Sequence, residues 1–487
     1  MTHMPNRRVL LRQTADLAAD FLEGLPDRTV HATATRAELL DAFGGPMPDR
    51  GEAPGEVIAD LAAMAQPGLV ASAGPRYFGF VVGGGVPAAI AAEWLTSAWD
   101  QNAGLYALSP TAAVVEEVVA SWLVDIFGLP AGSSVGFSTG ATMASFTALA
   151  AGRHRVLERC GWDVERQGLT GAPEIAVVVG AEAHVTIHVS LQMLGLGRDR
   201  VHRVEADDQG RMRSDSLRSI LAGLRDQPVL VCAQSGNVNT GAFDPLPDIA
   251  PAVRELPNSW LHIDGAFGLW AQAAPTLAHL TKGVELADSW TTDAHKWLNV
   301  PYDSGIAIVR DAAAHHAAMT LGAAYYVETE GAQRDPYNWV AESSRRARGF
   351  AVYAALRELG RDGLGAMVER CCNLARRMAD GLRDAPGVMI LNDVVLNQVL
   401  VRFAPPDGTG DAESSAAADA FTREVIAEIQ ADGTCWLGGT TWHGLGAMRI
   451  SVSNWSTTAE DADRSVAAIR RCRDAVAARR DVPTPAA

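Results

Sequence analysis

Residues 291–305, TTDAHKWLNVPYDSG, decide how this chain is read, because Lys296 is one of two lysines in it. The other is Lys282, and arginine makes up the rest of the 41 lysine and arginine residues. A chain that takes nearly all of its positive charge from arginine has little use for lysine as a mere cation. Guanidinium stays protonated and is a poor nucleophile, whereas a partly desolvated ε-amine can lose its proton and form a Schiff base. Flanked by His295, Trp297 and a buried-looking strand, Lys296 has the setting for that chemistry. Lys282, in the loop-like LTKGVE, reads as an accident of composition.

Upstream, SWLHIDGAF (259–267) reads as a strand that Asp264 ends. Alone, Asp264 would be a cap or turn residue. Paired with a lysine near a neighbouring strand, it is the acid pyridoxal phosphate requires, since a carboxylate keeps the pyridine nitrogen protonated and lets the ring act as an electron sink. Further upstream, VGFSTGATMASFTALAAGRHRVLE gives a strand, a small-residue turn and a strong helix, whose first N–H groups with Thr142 suit a cofactor phosphate. No GK[ST] follows, so this is not a Walker loop. In VVVGAEAHVTIHVSLQML, His184 follows a strand and could stack on a planar ring. His184 and His188 have helical spacing, but no HExxH pattern or third ligand supports zinc.

These motifs lie within an alternation of helical and β-rich runs from about residue 111 to 310: VVEEVVASWLVDIFGL is helical, and EIAVVVG, PVLVCAQ and SGIAIVR are strands. The pattern predicts an α/β fold with a mainly parallel sheet covered by helices on both faces, its ligand site at the carboxyl ends of the strands. The irregular LGAAYYVETEGAQRDPYNWVAESS resembles a lid or binding loop and precedes a helix signal over 345–361. Strand, linker (PPDGTGDAESSAAAD), helix, strand (AMRISVSN) and terminal helix then suggest a smaller α+β domain. The expected organisation is an N-terminal helical segment (1–75), a large domain (76–320), a loop and connecting helix (321–375) and a small C-terminal domain (376–487).

A rival reading rests on YFGFVVGGGVPAAIAAEWL, where Gly83, Gly85 and Ala88 satisfy G-x-G-x-x-A and suggest a nicotinamide-dependent oxidoreductase. The strand ending in an acid expected about twenty residues on is replaced by the loop-like WDQNAGLYALSPTAA. Net charge of −16 argues against a nucleic acid partner, and Arg345, Arg346 and Arg348, like Arg376 and Arg377, read as solvated faces. No run approaches a membrane span of about 20 apolar residues, and the first 26 residues read as an amphipathic helix rather than a signal peptide. Six scattered cysteines without a CxxC pair suggest reduced thiols and a cytoplasmic setting.

Taken in order, STGATMAS, EAHV, HIDGAFG and DAHKW make the chain resemble the group II pyridoxal-phosphate-dependent amino acid decarboxylases, from about Pro75 to Asn454. The resemblance implies a fold-type-I enzyme with a seven-stranded type of sheet, a homodimer with shared active sites, and decarboxylation of an L-amino acid to its amine. Lys296 would carry the cofactor, with His295 preceding it; Asp264 would pair with the ring nitrogen, Ala266 would lie beneath the ring and His184 over its other face. Ala141 and Thr142 would hold the phosphate, and Asn237 matches a position near the cofactor. Arg449 matches an arginine that meets a substrate carboxylate in some relatives, and Phe80 and Asn102 fall where relatives shape the substrate pocket. The family's mobile-loop tyrosine is opposite Pro336 here, with Tyr337 one residue away. In relatives that lose this tyrosine the reaction can divert to an aldehyde, so that outcome, and transamination, stand beside amine formation.

Overall fold

Three helices, α1 (Arg7–Gly24), α2 (Arg36–Phe43) and α3 (Pro54–Ala65), open the computed structural model, which describes residues 6–320, 333–405 and 416–480. After α4 (Pro87–Trp99) and α5 (Pro110–Ile126), strands and helices alternate: β1 (Ser134–Ser138), α6 (Ala141–Glu158), α7 (Val164–Gln167), β2 (Ala176–Gly180), α8 (Val185–Met193), β3 (Val201–Val204), α9 (Ser214–Ala222), β4 (Val229–Gln234), α10 (Leu246–Arg254), β5 (Ser259–Asp264), β6 (Ser289–Asp293) and β7 (Gly305–Val309). There follow α11 (Ala312–Met319), α12 (Gly349–Arg383), β8 (Val388–Ile390), β9 (Gln398–Phe403), α13 (Ala416–Asp432), β10 (Gly438–Trp442), β11 (Leu445–Ser451) and α14 (Ala459–Arg480). The chain divides into two units: Gly83–Arg376 with Leu391–Leu400, and Met1–Val82 with Arg377–Ile390 and Val401–Ala487.

In the larger unit, seven strands run in the order β1-β7-β6-β5-β4-β2-β3. Pairing is parallel from β6 through β5, β4 and β2 to β3, while β7 is antiparallel to both its neighbours. Every residue of β4, β6 and β7 is buried, as expected of strands covered on both faces. Register aligns Gln234 with Asp264 and Asp264 with Thr291, so β4, β5 and β6 present their carboxyl ends side by side. That alignment places the site.

The arginine run before α12 corrects the expectation of a solvated face. Arg345 is buried, holds both oxygens of buried Glu116 at 2.8 and 3.0 Å, and donates to the carbonyls of Phe137 and Ala103. Arg348 is also buried and donates to Asp303 at 2.8 Å, whereas Arg346 pairs with Glu93 in a half-exposed position. Charge density in the sequence could not show that each guanidinium meets a carboxylate on a different element. The helix signal over 345–361 begins later, at Gly349, and continues to Arg383 with a non-helical break at Gly360. Arg376 and Arg377 do lie exposed, bonded to Asn373 and Asp463.

The smaller unit holds a four-stranded sheet in the order β10-β11-β9-β8, on which α13 packs against β11 and α14 against α13. Trp436 stacks on Tyr77 and Phe80, tying the segment before α4 to this sheet. The last four residues of the expected linker, Ala416 to Asp419, belong to α13; residues 406–415 of it, like the first half of the expected lid (321–332), fall outside the described residues. Among the described residues, no helix is long and apolar enough to cross a membrane.

Candidate active site

Lys296 lies in the tight turn that follows β6. Its Nζ is 3.0 Å from Oδ2 of Asp293, the buried last residue of that strand, and His295 Nε2 is 3.5 Å from the same oxygen. The turn is closed by Asn299 N–H donating to the Lys296 carbonyl and Val300 N–H to Ala294. His295 stacks on Tyr302 and accepts the Ser304 N–H on Nδ1; burial pushes its imidazole below the usual range, with Asp293 opposing.

The glycine-rich run behind the nicotinamide reading packs on this turn. Gly83 N–H donates to the His295 carbonyl and Gly84 N–H to Asn299 Oδ1 at 2.7 Å. A Cβ on Gly83 would lie 2.1 Å from the Lys296 carbonyl oxygen, so glycine is required for close approach, not for a pyrophosphate.

Asp264 closes β5, and its Oδ1 accepts the N–H of Ala266, whose own carbonyl receives the Asp293 N–H. Asp264 and His184 line one small cavity together with Cys232, Gln234 and Asp244. His184 caps α8: its Nδ1 faces the Thr186 hydroxyl at 2.8 Å and accepts the Thr186 N–H, whereas His188 turns to the Arg198 carbonyl, so the two do not converge. Among the described residues, no cluster of three or more metal-binding side chains exists. Burial, then Asp264, pushes the Cys232 thiol up to about 12, and burial pushes the Asp244 carboxyl up to about 6 although it accepts N–H groups from Met212 and Gln234.

Ala141 and Thr142 form the first turn of α6, after Gly140, with no side-chain cap. A Cβ on Gly140 would lie 3.3 Å from His295 Cε1, which brings this turn to the lysine segment. Ser190 of α8 donates to the Thr142 carbonyl, joining the His184 helix to α6. Asn237 is buried, and its Oδ1 is used to accept the N–H groups of Asn239 and Thr240 in a turn, leaving Nδ2 buried without a partner. The structure thus brings Lys296, His295, Asp264, Ala266, His184, Ala141 and Thr142 to the strand ends. Sequence reasoning missed Asp293, although it stands three residues before the lysine, because an acid at a strand end gives no sign of its target.

Other expected residues have different surroundings. Asn102 Oδ1 accepts the N–H groups of Gly104 and Arg345, so its side chain braces a loop. Tyr337 is buried on a short 3-10 turn, Pro336–Trp339, and its N–H donates to the Gly104 carbonyl, which makes it part of the packed framework rather than a loop tip. In the smaller unit, Phe80 is exposed, and Arg449 reaches its carbonyl at 3.5 Å; burial pushes the Arg449 guanidinium down to about 10.

This donor set fits pyridoxal phosphate. A carboxylate and an imidazole lining one cavity, an amine in the turn after the neighbouring strand, and uncapped N–H groups at a helix start supply the partners a ring nitrogen, a ring face, an aldehyde and a phosphate need.

Comparison with known proteins agrees. Residues 38–404 match the model of the pyridoxal-dependent decarboxylase conserved domain. The chain is 31% identical to L-2,4-diaminobutyrate decarboxylase of Rhizobium meliloti (strain 1021), over 78% of this chain and 74% of that one. It is 29% identical to the acidic amino acid decarboxylase GADL1 of Mus musculus, over 68% of this chain and 60% of that one. The structure of Oryza sativa TDC with PLP and tryptamine superposes with a TM-score of 0.89 at 21% identity, covering 97% of this chain and 99% of that one. The sequence motifs, the strand-end site and these matches together make the chain a member of the pyridoxal-dependent decarboxylase family.

Proposed function

We propose that this protein decarboxylates an L-amino acid to the corresponding amine and carbon dioxide. The observation that carries the reading is Lys296 Nζ held 3.0 Å from Asp293 at the end of a strand whose neighbour ends in Asp264. Bound pyridoxal phosphate supplies a ring that withdraws the electron pair left when the carboxylate departs. Lys296 would hold the cofactor through Nζ, and the substrate amine would take that place. Asp264 keeps the ring nitrogen protonated, and the cavity it shares with His184 gives the ring a wall. The Ala141 and Thr142 N–H groups bind the phosphate, Asn237 offers its spare amide, and Arg449 is assigned to the substrate carboxylate.

The relatives named above act on diamino and acidic amino acids, so a panel spanning basic, acidic and aromatic L-amino acids is the appropriate screen. Carbon dioxide, amine, aldehyde and hydrogen peroxide are measured together. Equal yields of carbon dioxide and amine are expected; aldehyde with peroxide would replace amine formation by oxidative deamination, and no carbon dioxide from any amino acid would overturn the reading. A homodimer is supported by exposed Trp94, Leu95 and Trp99 on α4, Val185, Val189 and Met193 on α8, and the absence of any buried residue in α1, α2 and α3. A cytoplasmic setting is supported by six unpaired cysteines.

A further inference from the structure

Asp293 is the group the proposed chemistry leaves unassigned. It is 2% exposed; one carboxylate oxygen, Oδ2, meets Lys296 Nζ at 3.0 Å, and the other, Oδ1, is buried without a hydrogen-bond partner. A Cβ on Gly140 would lie 3.7 Å from that second oxygen, so the carboxylate fills the gap between the start of α6 and the lysine turn. The Asp293 backbone is fixed at both ends, its N–H donating to Ala266 and its carbonyl accepting from Trp270 Nε1 at 3.1 Å. The buried carboxylate's charge is met by Lys296, with His295 at 3.5 Å as the other nearby nitrogen. Asp303, the other acid acting on His295, is paired with Arg348.

We infer that Asp293 is a positioning residue that stores the free amine of Lys296 as an ammonium ion pair. The inference rests on Lys296 being the cofactor-bearing amine. When a substrate amine would take the cofactor, Nζ would be released as a neutral amine, take up the proton the incoming substrate ammonium gives up, and be held as an ammonium against the Asp293 carboxylate 3.0 Å away. An ammonium has no lone pair, so it does not compete with the substrate for the position it has just left.

With two lysines in the chain, the test is simple: cofactor is stripped from the full-length protein with hydroxylamine, and acetic anhydride acylation of Lys296 and Lys282 is followed by peptide mass spectrometry at fixed pH. Lys282, exposed and distant in sequence, is the internal reference. In Asp293→Asn, the Lys296 to Lys282 rate ratio is expected to rise about tenfold or more, while His295→Gln leaves it within about twofold of the unsubstituted chain. Thermal melting of each variant separates lost folding from altered reactivity, and Asp293→Glu, which restores the charge, should return the ratio towards the unsubstituted value. In the loaded enzyme, Asp293→Asn should raise KM more than it lowers kcat. An unchanged ratio in folded Asp293→Asn would overturn the inference, as would an equal rise in His295→Gln. Because acylation needs no cofactor or turnover, its failure would leave the decarboxylase reading intact.

Discussion

Asp264 and Lys296 are the residues to which the proposed function assigns the chemistry. Asp264→Asn keeps an oxygen to accept the Ala266 N–H but removes the charge that, in the proposed function, would hold a proton on the ring nitrogen. Carbon dioxide release should fall by about a hundredfold or more, with an unchanged melting temperature, measured by steady-state kinetics beside a thermal melt. Gly83 acts through space alone. Its replacement by alanine forces a Cβ to 2.1 Å from the Lys296 carbonyl oxygen and should destabilise the fold by about 1–3 kcal/mol, read from denaturant unfolding. At this scale the sequence was most legible for Lys296, because a scarce residue type is conspicuous against so many arginines, and for Asp264, because it ends an apolar strand. Asp293 was illegible: what defines it is a 3.0 Å contact made possible by the turn. The brace formed by Asn102 and the packing of Tyr337 depend in the same way on partners distant in sequence.

Among the elements, the apolar strands β2, β4, β5 and β7 were readable from runs such as AVVVG and VLVCAQ. The short strands β3 (VHRV) and β10 (GGTTW) were not, since their partly exposed residues lack an apolar signal and their structure comes from pairing with a neighbour. The arginine segment before α12 is another tertiary effect. Because Arg345 and Glu116 are 1% and 2% exposed, removing one charge strands the other, and Glu116→Gln should cost about 3–5 kcal/mol in unfolding free energy. A loss below about 1 kcal/mol would show that the pair is solvated, as the charge run alone suggested.

For the whole molecule, acid stability follows from two buried histidines. Burial pushes both His262 and His315 down to about 3. His315 Nε2 donates to the Trp339 carbonyl and Nδ1 accepts from the Ser134 hydroxyl, an arrangement that suits a neutral ring. Each histidine is neutral in the fold but takes up a proton on unfolding below its ordinary value of 6.5, so the stability they confer is complete above about pH 6.5 and is lost as pH falls towards 3. Urea unfolding over that range should therefore show stability rising with pH, and His315→Gln should flatten the slope by about one proton. Sedimentation should give roughly twice the 51.5 kDa of one chain if the exposed apolar faces pair as proposed. The most direct test of the whole account is borohydride reduction of the freshly purified, cofactor-loaded protein, followed by peptide mapping. A phosphopyridoxyl group on Lys296 with Lys282 unmodified is the predicted result; a peptide spanning Lys296 that stays unmodified after cofactor is supplied would contradict it.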